Sequence, residues 1–421
     1  MLKIGWNYMR DYLVFSYSHD FIMGGIESYA IRMFKWAFNN DVESVLLLRD
    51  KSELHYNWDK ILKELNVTIA FFSANVFNNS LYNTQGDRIV LEKNCRYTFI
   101  AADIHCFIKI FNIRKKNNIC SYSSQILYIF HPYSVLASKK NILNYPYEFF
   151  MKKVKNRGLI FMDEETALAY KKKYKADVQK DAIVRLGMEI PQLKEDYIES
   201  RIQRKKDEIN ILTITRMEFP FKGYVLGLIE DFHKLKQLYT NLKLIIIGNG
   251  PNVDIVKEKI NELPDNVKED IFLIGEVAYE ELHEYFRKSY IYVGMGTTLL
   301  DASLTGLVSV IATDFQMENK TVGLFSEEYY NLGGNPYLCE NKSFTFEEVL
   351  KDILNWSEET YFKQAHCVFD IVDKYYNIEE VMIQILSYEK DNVQLPKVKG
   401  PLLSVYDALL AYIQIYQFKH K

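Results

Sequence analysis

Between residues 209 and 313 the chain repeats one pattern about five times: a short apolar run, then a segment with apolar residues three and four apart. INILTIT (209–215), LKLIIIG (242–248), DIFLIG (270–275), YIYVG (290–294) and VSVIAT (308–313) have the length and β-branched content of strands. YVLGLIEDFHKLKQLY (224–239), NVDIVKEKINEL (252–263), YEELHEYFRKS (279–289) and TLLDASLTG (298–306) have helical periodicity. Strands that are apolar on both faces and alternate with helices form a parallel sheet covered on both sides. This pattern therefore predicts a Rossmann-like α/β domain.

The first half repeats the rhythm less regularly. VESVLLL (42–48), YTFIAAD (97–103), SQILYIF (124–130), LIFMD (159–163) and DAIVRL (181–186) are predicted strands, and GGIESYAIRMFKWAF (24–38) an amphipathic helix opened by two glycines. The polar stretch 191–208 reads as a linker or surface helix. The expected organisation is therefore an α/β fold of two Rossmann-like domains facing a central cleft, 1–190 and 191–385, with a helical extension over 386–421. At 421 residues the chain has the length for two or three domains. A net charge of −3 gives no global case for nucleic acid, and 48% hydrophobic with 25% charged residues is the balance of a soluble globular protein. Five cysteines without a CxxC pair suit reduced thiols rather than a disulfide frame or zinc site. The N-terminal residues lack the apolar stretch of a signal peptide, and no run reaches about 18 apolar residues. The expected setting is cytoplasmic, with peripheral membrane contact at the inner face as an open option.

Three strand-to-helix connections carry residues suited to one kind of ligand. In TRMEFPFKGY (215–224), Arg216 and Lys222 follow a strand and precede a helix, where α/β sheets hold anions. A guanidinium fork and an ammonium point charge together suit a pyrophosphate, although two such cations are also common on ordinary surfaces. In IIIGNGPNVD (245–254), Gly248 and Gly250 permit positive-φ geometry and close approach. In GMGTTLLDAS (294–303), small residues end another strand, and Asp301 falls in what reads as the first turn of the next helix, where a carboxylate is stabilised by the helix dipole. Such a residue either starts a helix or accepts hydrogen bonds from a ribose diol.

Taken in this order, ITRMEFPFKG, IIIGNGP, FLIGEV and VGMGTTLLDASLTGLVSVIAT, with GGIES near the N-terminus, resemble glycosyltransferase family 4, retaining enzymes of GT-B architecture. The likeness spans roughly residues 20–385. It implies that Arg216 and Lys222 hold the donor diphosphate, that Gly248 and Gly250 shape the turn beside the nucleotide, and that Gly275, Glu276 and Val277 border the base. It also implies that Thr297, Thr298 and Leu299 offer backbone groups near the diphosphate and that Asp301, where the family has Glu, binds the ribose. Gly24 and Gly25 would let a helix start approach the reacting centre. His131 or His105 would face the sugar, with His131 preferred because it follows an apolar strand and precedes Pro132. The first glutamate of the family signature falls on Val293, so no carboxylate stands where the family contacts the donor sugar.

The resemblance implies transfer of a sugar from a UDP- or GDP-linked donor to a hydroxyl of a glycan or lipid-linked glycan in a bacterial surface-polysaccharide setting. No metal or other cofactor is expected. Basic clusters (Arg114, Lys115, Lys116; Lys152, Lys153, Lys155, Arg157; Lys171, Lys172, Lys173, Lys175) beside Phe107, Ile108, Ile110, Phe111 and Ile113 would suit an anionic membrane surface. The tail (Leu402, Tyr406, Leu409, Tyr412, Ile413, Tyr416) has a helical stripe suited to packing on the body, a membrane or a homo- or hetero-oligomeric partner. A nucleotide-sugar epimerase and a non-catalytic scaffold subunit are the competing readings.

Overall fold

The computed structural model describes residues 10–22, 24–73, 78–119, 123–132, 158–333 and 343–388. The chain divides into two compact units, one running from Met188 to Asn377 and the other formed by the segments before and after it. This division differs from the expected limits at 190/191 and 385/386. The helix Ile378–Tyr388 belongs with the first unit, where Glu379 accepts a 2.7 Å hydrogen bond from the Trp36 indole and Gln384 donates to the carbonyls of Asp181 and Ile183. The expected tail helix lies outside the described residues, as do Lys152, Lys153, Lys155 and Arg157.

The first unit is built on an eight-stranded sheet: β1 (Arg10–Tyr17), β2 (Glu43–Arg49), β3 (Thr68–Phe72), β4 (Leu81–Tyr82), β5 (Arg88–Ile89), β6 (Cys95–Ala101), β7 (Ser123–Ile129) and β8 (Leu159–Phe161). The spatial order is β5-β4-β3-β2-β1-β6-β7-β8, antiparallel only where β4 meets β3 and β5. The segment 181–186, expected as a strand, is a 3-10 turn over Lys180–Ala182 followed by a single bridge from Ile183 to Phe161. Phe107, Ile108, Ile110 and Ile113, expected to offer an apolar face to a membrane, are instead buried on the inner side of the helix Ile104–Lys116. Arg114 of the same helix is buried too, with its guanidinium on Ser123 and Gln125. Their spacing marked the face that the sheet covers, and Lys115 and Lys116 remain exposed.

The second unit has a seven-stranded sheet: β9 (Ile209–Ile214), β10 (Leu242–Ile247), β11 (Ile271–Gly275), β12 (Ile291–Gly294), β13 (Val308–Ala312), β14 (Lys320–Leu324) and β15 (Phe344–Thr345). Its order is β11-β10-β9-β12-β13-β14-β15, parallel from β11 through β13. The stretch expected as a linker or surface helix forms the helix Glu195–Arg204, rooted in this unit's core. Ile198 is fully buried, and buried Arg201 donates to the carbonyls of Thr305 and Phe286 and to the Thr305 hydroxyl. A polar composition concealed this role, because a long arginine can be buried when backbone carbonyls receive its donors. Another buried charge, Asp231, accepts from Lys234, Asn319 and the Glu347 N–H, tying together three segments.

Candidate functional site

In both sheets the chain winds outward from a central strand, returns, and winds the other way. The reversals fall between β1 and β6 and between β9 and β12. Loops leaving the carboxyl ends of such strand pairs diverge and open a crevice, the preferred ligand position in open α/β sheets. Of the sequence-derived candidates, Gly24 and Gly25 follow β1, Arg216 and Lys222 follow β9, and Thr297 to Asp301 follow β12; Gly248 and Gly250 follow the neighbouring β10, Gly275 to Val277 lie at the end of β11, and His131 lies beyond β7.

After β9, Arg216 is exposed and Lys222 half-buried. Arg216 is paired with Glu218 at 3.6 Å, and the Lys222 ammonium lies 6.0 Å from the centre of the Phe221 ring. Lost hydration lowers the Lys222 pKa first, and the Arg216 charge lowers it further, with Glu218 partly opposing. Glu218 offsets the repulsion from Arg216 only in part, and a further anion beside the two cations would relieve it. The loop is fastened to the turn after β10: Met217 N–H donates to the Asn249 carbonyl, Asn252 N–H to the Met217 carbonyl, and Phe219 N–H to the Asn252 side chain at 2.7 Å. Gly248 (φ 126°) and Gly250 (φ 157°) make this fastening possible, since a Cβ there would meet the carbonyl oxygens of Thr215 at 2.0 Å and Met217 at 2.5 Å. Their close approach is to neighbouring backbone.

After β12, Gly296 (φ 69°) precedes the helix Thr297–Ser303, with open space where a side chain would point. Thr297 and Thr298 are half-buried, whereas Leu299 is fully buried and its N–H donates to the Gly296 carbonyl. Asp301 is the fifth residue of this helix and not in its first turn, so the macrodipole supplies little of its stabilisation. Half-buried, its carboxylate accepts a 2.9 Å hydrogen bond from the Tyr279 hydroxyl. Tyr279 follows Gly275 (φ 84°, open on its side-chain face), exposed Glu276 and half-buried Val277. No motif in the sequence marked Tyr279. Val293 sits on β12 opposite Val310, fully buried in the apolar core.

In the first unit, Gly24 caps the helix Gly25–Asn39 in extended backbone, and a Cβ there would meet the Glu27 carboxylate at 2.4 Å. Glu27, buried in the first turn, thus occupies the space that the two glycines were expected to offer. After β6, Asp103 accepts from the Ser18 and Cys106 N–H groups, joining the loops on either side of this reversal. His105, expected at a strand end, lies in the first turn of the following helix and packs in the core against Phe72. His131 lies two residues beyond β7 and is half-buried.

Burial holds the His131 pKa down from 6.5 to about 4, so at neutral pH the ring is uncharged, with one donor and one acceptor nitrogen. The folded value is the lower one, so the unfolded chain takes up the extra proton first. The stability linked to this ring is therefore intact above about 6.5 and is lost as pH falls toward 4. His131→Gln is expected to flatten the acid-side fall of the melting temperature across that window. A slope equal to wild type would show that the ring titrates normally. Asp163, pushed up to about 6 by burial, acts in the opposite sense in both proteins and cancels in the comparison.

Among the described residues, no group of three His, Cys, Asp or Glu side chains is placed to hold a metal ion, and no helix is long and apolar enough to cross a membrane. A groove of about 680 Å³ along the helix Glu358–Tyr376, lined by Tyr329, Phe362, His366 and Tyr375 among others, contains none of the candidates.

Residues 195–355 match the sequence signature of the family described as glycosyl transferases group 1. No curated protein matches the chain in sequence. Among solved structures, a mutant of S. aureus TarM in complex with fondaparinux, alpha-GlcNAc-glycerol and UDP is similar with a TM-score of 0.61 and 12% identity, over 90% of this chain and 100% of that one. Anabaena HepE in complex with UDP and glucose is similar at 0.58 and 12%, over 90% and 99%. An E. coli trehalose-6-phosphate protein bound with UDP-2-fluoro glucose is similar at 0.55 and 11%, over 90% and 99%. These likenesses show the fold, which is the GT-B fold of glycosyltransferases with two α/β domains. The family match, over residues 195–355, supports glycosyl transfer.

Proposed function

We propose that the protein transfers a sugar from a nucleotide-diphosphate donor, UDP-linked by preference, to a hydroxyl of a glycan or lipid-linked glycan, with retention of anomeric configuration. The observation that carries this reading is the pair Arg216 and Lys222 on the loop after β9, at the strand reversal whose other loop leads to Asp301. The UDP bound by proteins of the same fold supports the choice of base. In this reading Arg216 and Lys222 hold the diphosphate, Asp301 takes the ribose hydroxyls, and Gly275, Glu276 and Val277 border the base. The open face above Gly296 and the backbone of Thr297 and Thr298 lie along the phosphates.

The chemistry asks little covalent work of the protein. As the bond from the anomeric carbon to the diphosphate oxygen breaks, charge develops on the leaving group, and cations fixed there stabilise the transition state more than the ground state. The departing phosphate oxygen takes the acceptor's proton, so no metal or other cofactor is required. Neutral His131 hydrogen-bonds a sugar hydroxyl. The enzyme works at the cytoplasmic side, extending a surface glycan.

Calorimetric titration with UDP and with GDP tests the donor site. Binding of UDP in preference to GDP is the expected result. Heat with neither nucleotide overturns the assignment and leaves the non-catalytic scaffold reading.

A further inference from the structure

The residue proposed to bind ribose is an aspartate, one methylene shorter than the glutamate of the family it resembles. A shorter side chain reaches less far and relies more on its surroundings for its aim. Here its carboxylate is held: the Tyr279 hydroxyl donates to Oδ1 at 2.9 Å. Beneath lies a second anchored pair, in which the fully buried Tyr292 donates to the Thr298 hydroxyl at 2.7 Å and Thr298 donates in turn to the Met295 carbonyl. Tyr279 itself is half exposed, in the turn Tyr279–Glu281 that follows Gly275, Glu276 and Val277. β11, which leads to that turn, is separated in the sheet from β12, which leads to Asp301, by β10 and β9. The hydrogen bond therefore joins the segment assigned to the base with the one assigned to the ribose.

We infer that Tyr279 is a positioning residue for nucleoside recognition: its hydroxyl fixes the rotamer of Asp301 so that the short carboxylate meets the ribose hydroxyls. The inference rests on the donor-site reading above and adds a residue that reading does not contain. The hydroxyl acts through Asp301, so its loss shows wherever the 2′-hydroxyl is read and not in the affinity for the diphosphate alone.

The test is calorimetric titration of the full chain and of Tyr279→Phe with UDP and with 2′-deoxy-UDP. Phe keeps the ring and removes only the hydroxyl of a half-exposed side chain, so an unchanged melting curve serves as the folding control. Wild type is expected to prefer UDP over 2′-deoxy-UDP by about tenfold, the effect of one well-made hydrogen bond to a charged group. In Tyr279→Phe that ratio is expected to fall to within about twofold of unity. Wild-type preference retained in Tyr279→Phe overturns the inference and leaves the donor site standing. Absence of UDP binding, or of any ribose preference, in wild type overturns the assignment of Asp301 and this inference with it. Asp301→Asn in both backgrounds completes a double-mutant cycle: equal effects in the two overturn the coupling, and a smaller effect once Tyr279 is Phe supports it.

Discussion

Lys222→Ala is expected to lower sugar transfer at least about a hundredfold, equivalent to about 2.7 kcal/mol of lost transition-state stabilisation. In the absence of donor the ammonium is half-buried, stripped of part of its hydration and set against the Arg216 charge, and both conditions lower its pKa. A diphosphate reverses them. It replaces the missing water with anionic oxygens and neutralises the repulsion, most strongly as the leaving group gains charge. The same reasoning fixes the expected effect on stability: removing a partly desolvated cation without its anion does not lower the melting temperature. Reduced turnover with an unchanged melting curve thus separates a charge clamp from a packing role. Lys222→Met, which retains most of the aliphatic stem beside Phe221, is expected to be as inactive as the alanine variant. Unchanged turnover with any nucleotide sugar would remove the phosphate site from the assignment.

Placing a glutamate at 293, where the resembled family carries one, is expected to damage the protein and not to improve it. Val293 has no exposed surface, faces Val310 in the register of β12 and β13, and belongs to the same apolar core as Ile211, Ile291 and Val310. An unpaired carboxylate forced into such a place costs roughly 3–5 kcal/mol. For a unit of this size that corresponds to a fall of about 10 °C in melting temperature. Protonation relieves the charge, so the gap between Val293→Glu and wild type is expected to narrow as pH falls, and Val293→Ile, which keeps the site apolar, to stay close to wild type. A Val293→Glu protein that melts with wild type and transfers sugar faster would show that the side chain reaches the donor and not the core.

The two sheets were unequally legible. β9 to β13 announce themselves because each is Ile-, Leu- and Val-rich and bounded by a helix of clear period. β1 and β3 belong to the first sheet yet carry no clear signal, because RDYLVFSY opens on charges and TIAFF is brief. DAIVRL has strand composition but only Ile183 finds a partner, so it makes one bridge and no ladder. Site residues held in loops next to strands, such as Arg216 and Lys222, could be placed from the strand-then-helix rhythm alone. His105 could not, because a histidine after a strand reads alike whether the next helix turns it outward or against Phe72. Tyr279 was invisible for a different reason: its partner is Asp301, 22 residues away, and no local period encodes a contact made through the winding of the sheet.

The chain order of the two units bears on how the protein can be taken apart. Met188 and Asn377 pair in a bridge, Met188 N–H donates to the Tyr376 carbonyl, and a Cβ on Gly187 would lie 3.1 Å from the Ile378 Cα. The second unit is thus a passenger whose two ends leave side by side from a host that resumes where it paused. A fragment stopping at residue 187 would discard the helix that receives Trp36 through Glu379. A graft that swaps 188–377 as one cassette, in contrast, would cut the backbone only at two adjacent points and leave every strand of both sheets whole.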